Sequence, residues 1–374
     1  MKKIVVASDS FKGSATSLQV AEAVARGVRR VLPECEVVAV PVADGGEGTA
    51  EALVRASGGC MVEARAHDPL MRPIGCRYGM IEGGATAVID MATASGLTLL
   101  APGERDPMAA TSYGTGELIA DAIERGCRHV VVGVGGTATC DGGTGIMRAL
   151  GYVFTDVHGR EVAQGGGALH AIAGIRPPSA NIADGVRFTV LCDVTNPFYG
   201  PEGAAFVFAP QKGATPEEVK LLDKGLRNLA RVVAEYNGRE IGQLAGSGAG
   251  GGAAGMFHAL CNGRIERGIE YVLDSAGFEQ ALEGADFVIT GEGHMDGQTL
   301  RGKAPAGVLD TAKRRGVPVI AITGGVSDRR TLLAAGFFAI FSIHHHTPTE
   351  AEKSDTALTL RLIEEEIYDL FVPA

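Results

Sequence analysis

Short apolar runs that empty into glycine-rich loops, each followed by a stretch of helical period, recur along this chain. Ile4 to Ala7 reads as a buried strand; its loop SDSFKGS leads into a segment with Leu18, Ala21, Val24, Val28 and Val31 on one face, which predicts a βα unit. Glu36 to Val42 predicts a second strand, ending in ADGGEGT before a helix over Thr49 to Ser57. From Met61 to Asp90 the texture changes to short alternating runs with turns at DPLMRP and EGG, which predicts antiparallel hairpins and a domain boundary near residue 65. ATSYGTGE (Ala110 to Glu117) opens a helix to Arg125, and the β-branched run from His129 and the run Phe188 to Leu191 are two more strands. Between Gly151 and Gly185 there is no strong period, so surface structure is expected. Thr215-Pro216-Glu217-Glu218 combines a cap, a proline at the first helical position and acids in the first turn, and starts a helix to about Asn237. Beyond Ala285 the α/β texture returns: strands Phe287 to Thr290, Val317 to Ile322 and Phe337 to Ser342, a helix from Pro305, and an amphipathic helix from Glu350 to Phe371. The two chain ends are expected to share one sheet.

The 374 residues exceed one ordinary domain, so two are expected. No apolar run approaches the roughly 20 residues of a membrane helix, and MKKIVVASDS enters a strand without an export signal, so a soluble, cytoplasmic protein with no membrane partner is expected. Seven cysteines without a C-x-x-C pair argue against a disulfide framework and a zinc site. A net charge of −10, no Trp and 5% aromatics leave neither a basic footprint nor stacking platforms for nucleic acid. Glycine numbers 54, about twice the usual ~7% share, and its clustering between strands and helices suits ligand binding through the backbone.

The densest cluster is HVVVGVGGTATCDGGTGIMRALG, His129 to Gly151. A strand, a glycine turn and a short helix bring backbone N–H groups together, which suits phosphate, with Gly135, Gly136, Thr137, Gly142 and Gly143 as donors. Asp141 beside such an anion site makes electrostatic sense with a cation such as Mg²⁺ between them; the alternative is a tight turn with an Asp helix cap. Gly133-x-Gly135-x-x-Ala138 with Asp156 downstream partly matches a dinucleotide fingerprint, but the helix starts near Thr144, after the motif, so a nicotinamide enzyme is a minor alternative. Other strand ends carry Asp9 and Lys12, Asp44 and Glu47, and Asp193 with Asn196, where ligands bind in open α/β sheets. Lys212 stands before the helix of Thr215, and Gly246 to Gly255, with Gly250 and Gly251, is read as an anion cradle rather than a linker. Glu292, Asp296 and Lys303 form a charged cluster; Gly302-Lys303 lacks the Ser or Thr of a P-loop, since Ala304 follows. His344 to His346 reads as a solvated turn, and no nucleophile elbow is present.

As an ordered set, DSFKGS, VADGGEGT, DMATASGL, TSYGTGELI, GVGGTATCDGGTG, CDVTNPF, PQKGA, ITGEG and GKAP resemble the bacterial glycerate kinases that phosphorylate D-glycerate with ATP, from Ile4 to about Ile343. Ser8, Thr137 and Cys140 depart from the family pattern, as do His294 and Met295, which stand where an Arg-Ile is usual. The resemblance implies two α/β domains: a flavodoxin-like or Rossmann-like parallel sheet from both chain ends (1–64 and 284–374) and a mixed α/β domain from the middle (65–283), with the site in a cleft. It implies ATP, Mg²⁺ and D-glycerate as ligands and a monomer or homodimer, with 2-phosphoglycerate favoured over 3-phosphoglycerate as product. The carboxylates Asp44, Asp141, Asp193 and Glu292 are then expected to converge. Lys12 would seat the glycerate carboxylate, Asp193 would take the hydroxyl proton with Asp44 nearby, and Asp141, Glu292 and Asp296 would handle Mg²⁺. Gly135, Gly136, Thr137, Gly142, Gly143, Gly250, Gly251, Lys212 and Lys303 would hold phosphates. A non-catalytic sensor of a small acid or phosphometabolite is the alternative of a different class.

Overall fold

The computed structural model describes residues 1–11, 13–43 and 45–372, with the backbone alone at Arg301. Its strands, in chain order, are β1 (Lys3–Val6), β2 (Glu36–Ala39), β3 (Cys60–His67), β4 (Pro73–Ile81), β5 (Thr86–Asp90), β6 (His129–Gly133), β7 (Val153–Thr155), β8 (Gly174–Arg176), β9 (Arg187–Leu191), β10 (Arg264–Glu266), β11 (Phe287–Glu292), β12 (Val319–Thr323) and β13 (Ala339–Ser342). Two compact units result, Met1–Asp44 with Ile269–Ala374, and Gly45–Gly268.

The first unit is a five-stranded sheet in the order β13-β12-β11-β1-β2, with every pairing parallel. Renumbered within the unit, this is the flavodoxin-like order 2-1-3-4-5, built from both chain ends. Alternate residues serve opposite faces. Ile4 and Val6 pack with the helices Ser17–Val31 and Thr356–Phe371, while Val5 and Ala7 pack with the helix Ala304–Arg314. The expected continuous helix from Glu350 is in fact two, Glu350–Ser354 and Thr356–Phe371, because Asp355 has extended backbone and its carboxylate caps the amide of Leu358.

The second unit holds a six-stranded sheet, β10-β9-β6-β5-β4-β3. β5, β6, β9 and β10 are parallel, and β4 and β3 extend the sheet antiparallel, as the hairpin texture predicted. The seams fall at 44/45 and 268/269 rather than near 64/65 and 283/284. The helix Thr49–Ser57 packs on β4 and β5, so it goes with the mixed sheet, and Ile269 and Leu273 join the apolar cluster of the first unit. The region from Gly151 to Gly185 is more than surface structure. It contains the β7–β8 pair, and Phe154, Leu169, Ile172 and Ile175 are buried in the main core, a contribution too irregularly spaced to show as a period. Among the described residues no helix is long and apolar enough to cross a membrane, and all seven cysteines are free thiols.

Candidate functional site

In the second unit the parallel strands end in one row. Asp90 pairs in register with Gly133, Gly133 with Leu191, and Leu191 with Glu266, so the loops after β5, β6, β9 and β10 leave from the same edge. The segment after Gly45 lies across this edge. Gly135 donates its N–H to the Gly45 carbonyl (3.2 Å), and a Cβ at Gly133 would stand 2.8 Å from that oxygen, so glycine is required there for close approach. Asp90, the last residue of β5, accepts hydrogen bonds from the amides of Gly48 (2.9 Å) and Ala50 (3.1 Å) and so caps the helix Thr49–Ser57 from a neighbouring strand. Burial pushes its carboxyl up to about 7, against the lowering effect of those two amides, and Glu47 and Glu51 add to the rise.

The loop after β6 is a closed assembly. Asp141 is fully buried, and its carboxylate accepts from the Ser112 amide (2.9 Å), the Ser112 hydroxyl (2.8 Å), the Gly143 amide (3.0 Å) and the Gly145 amide (3.1 Å). Gly142 donates to the Gly251 carbonyl (3.0 Å), and Gly250, Gly251 and Gly252 all have left-handed backbone. A Cβ on Gly251 would come within 2.1 Å of the Thr139 carbonyl, so the second glycine cluster is packed onto the first. Lys212 comes from the turn Pro210–Lys212; its ammonium donates to Thr137 Oγ1 (3.1 Å) and the Thr139 carbonyl (2.7 Å). The side chain is buried, with no carboxylate at ion-pair distance among the described residues, and burial pulls its pKa down, while Cys140 and Asp141 favour the charge. Thr139 Oγ1 is likewise buried without a protein partner. Asp193, half-buried, follows β9 on a loop tied to the 242–248 segment by Phe198 N to Gly242 O (3.2 Å) and Gly248 N to Asn196 O (3.1 Å).

In the first unit the winding reverses between the neighbouring strands β1 and β11, the switch point at which open α/β sheets bind ligands. Glu292 ends β11 there. Its Oε1 accepts from Thr299 Oγ1 (2.7 Å) and its Oε2 pairs with Lys303 Nζ (3.0 Å). Thr299 Oγ1 also accepts from the Asp296 amide (3.1 Å), and the Asp296 carboxylate accepts from the Gln298 amide (2.8 Å). Asp9, after β1, donates its N–H to the Gly291 carbonyl (2.9 Å), which puts it beside Glu292 in the chain.

Residues 4–372 match the glycerate kinase family. The chain belongs to that family. It is 43% identical to a glycerate kinase of Bacillus subtilis, over 91% of this chain and 90% of that one. To the glycerate 2-kinase of Escherichia coli it is 40% identical, over 91% and 90%. A crystal structure from Salmonella typhimurium LT2, provisionally named glycerate kinase 2, superposes with a TM-score of 0.83 at 42% identity, over 97% of both chains. Glycerate kinases are phosphotransferases, so membership favours catalysis over the sensor reading and the nicotinamide reading. The fold agrees on the second point: the helix Thr144–Ala149 begins after the GVGGTA segment, outside any dinucleotide fingerprint.

Set against this glycerate kinase frame, the expected site residues separate. Lys12 and Asp44 lie outside the described residues. Asp141 and Asp193 belong to the second unit, and Glu292, Asp296 and Lys303 to the first. Asp141 does not suit Mg²⁺, because four protein donors already occupy its carboxylate. Nor do Gly135, Gly142 and Gly143 suit phosphate, because their N–H groups are engaged within the fold. Thr137 and Lys212 are joined by a hydrogen bond. Asp90 was missed, although an acid closing the apolar run TAVID is the strand-end signal that drew attention to Asp193.

Proposed function

We propose that this chain transfers the γ-phosphoryl group of ATP to D-glycerate, with the 2-hydroxyl as acceptor. The observation that carries the reading is Lys212: a buried ammonium without a carboxylate partner among the described residues, held against a glycine-rich loop at the carboxyl ends of parallel strands, suits a ligand that brings its own negative charge. Family membership supplies the chemistry such an ammonium would serve. In phosphoryl transfer the protein positions the reactants and stabilises charge on the transferring oxygens, so a fixed cation in a dry setting is worth more than a mobile one in water.

Asp193 is the proposed acceptor of the glycerate hydroxyl proton. It is half-buried after β9, in the same row of strand ends as the loop Lys212 holds, and its own loop is tied down at 196 and 198. Mg²⁺ is a hard cation that keeps much of its water and leans on nucleotide oxygens, so it needs only one or two carboxylates. Glu292 and Asp296 fit that requirement, and when bound the ion would screen the charge of the nucleotide phosphates. Lys303, paired with Glu292, keeps the carboxylate oriented and is a second candidate for nucleotide oxygens. Free thiols throughout support a reducing, cytoplasmic setting.

Purified protein with MgATP is expected to release ADP on addition of D-glycerate, read by a coupled assay, and phosphorus NMR of the product identifies the hydroxyl. Binding of D-glycerate without ADP release would return the sensor reading. Asp193→Asn is expected to lower kcat by roughly 10²-fold or more with ATP affinity kept, the usual size of an acid–base contribution. A near-normal kcat would remove Asp193 from the role and leave the reaction standing.

A further inference from the structure

The amino ends of β9 and β10 enclose a pocket of about 260 Å³ bounded by Gly185, Arg187, Cys261, Asn262 and Arg264. About 13 Å of strand separates Arg187 from the other end of β9, so this is not the edge that carries Asp193 and the glycine loops. Two guanidiniums line it and no acid does. Elsewhere Arg72, Arg125, Arg160 and Arg227 each pair with a carboxylate.

The register explains how the two charges meet. Arg264 lies opposite Thr189, and Arg187, two residues before Thr189, shares its face of the sheet. Arg187 Nη2 donates to His129 Nδ1 (2.9 Å), and His129 Nε2 lies 2.9 Å from Thr189 Oγ1. His129 is buried; burial, and then Arg187, hold its pKa down, so the ring is a neutral acceptor. It holds the guanidinium through an uncharged acceptor, while Glu82, bonded to Thr86, is the acid that acts on the same ring. Asn262, with left-handed backbone at φ 54°, is held by Arg239 Nη2 (2.8 Å), which brings a third arginine to the rim.

We propose that this pocket binds a small multivalent oxyanion of the phosphate type, at a site separate from that of phosphoryl transfer. Guanidinium forks match tetrahedral oxyanions through paired charge-assisted hydrogen bonds, and of the two here Arg187 is held by His129. The volume lies just below the 300–1,000 Å³ range of pockets for drug-sized ligands, which suits inorganic phosphate or a phosphorylated three-carbon acid. The pocket stands whatever reaction the carboxyl edge performs.

The test is calorimetric titration of the whole protein with inorganic phosphate, wild type against Arg264→Gln and Arg187→Gln/Arg264→Gln. The Arg264 side chain makes no hydrogen bond or ion pair among the described residues, so the single variant should fold as the wild type does. It is expected to weaken one phosphate site about tenfold, the double variant to abolish that site, and turnover in phosphate-free buffer to stay unchanged. Competition then separates the sources. Displacement of phosphate from this site by 2-phosphoglycerate at lower concentration marks an organic phosphate, and failure to displace marks inorganic phosphate itself. Identical phosphate isotherms for wild type and both variants would overturn the proposal.

Discussion

The loops after β6 and β11 look alike as sequence: each follows an apolar strand, is rich in glycine and carries a buried acid at or near the strand end. Their carboxylates have opposite situations. Asp141 receives four hydrogen bonds from its own loop and from Ser112, so its charge is consumed in holding the loop together. Glu292 receives one hydroxyl and one lysine ammonium that is itself partly exposed, so both oxygens keep accepting capacity toward a ligand. Position at a strand end therefore does not distinguish a staple from a ligand-handling group. What distinguishes them is how many donors the fold has already aimed at the carboxylate.

The contrast can be broken by mutation. Asp141→Asn keeps the shape but replaces an oxygen that accepts several N–H and O–H groups with an amide that repels some of them; removing such charge-assisted bonds should cost about 3 kcal/mol of stability. Chemical denaturation measures this, and the residual folded enzyme should keep its Mg²⁺ requirement. A stable variant with a raised Mg²⁺ requirement would return Asp141 to the metal. Glu292→Gln should do the reverse: the Thr299 bond survives and a partly exposed ion pair is lost, so stability should fall by less than about 1 kcal/mol. Its kcat/KM for MgATP should drop about tenfold or more, in proportion to one lost charged contact in the transition state. Equal, modest losses of stability in both variants with no change in Mg²⁺ dependence would erase the distinction.

Much of the architecture was legible because it rests on local signals. Thr215-Pro216-Glu217-Glu218 formed the expected cap with both halves of its capping box, and the apolar runs at Ile4, His129, Phe188 and Phe287 are strands as read. The fold class was implied by the family resemblance, and the βα order agrees with it. Less legible was the use of the glycines. A run such as Gly250-Gly251-Gly252 is equally suited to cradling phosphate and to letting two backbones touch, and only the lack of room at Gly251, where an added Cβ would stand 2.1 Å from the Thr139 carbonyl oxygen, tells which it does. The break at Asp355 was hidden for a related reason: an Asp between two helical stretches of the same period can be a surface position or a cap, and the sequence writes both the same way. Arg187 and Arg264 are 77 positions apart and meet only through the parallel register of β9 and β10.

Asp90 has as few donors as Glu292, but both are backbone amides, so it gives the finest test of the distinction. Two amides hold its carboxylate, fewer than hold Asp141, and burial raises its carboxyl from 3.8 to about 7. Between those values the folded chain keeps a proton that the unfolded chain has lost, so this group makes stability fall as pH rises from about 4 to about 7. Asn cannot ionise. Asp90→Asn loses an acceptor toward the amides of Gly48 and Ala50 and should be less stable near pH 4, but the gap should narrow by about 1 kcal/mol or more by pH 8, where the wild type carries the cost of a buried charge. Urea unfolding of both proteins across that range measures it. A gap that stays constant would mean that the two amides suffice to keep Asp90 ionised throughout, which would make it a staple of the Asp141 kind with no more donors than Glu292, so the kind of donor rather than the number would draw the line.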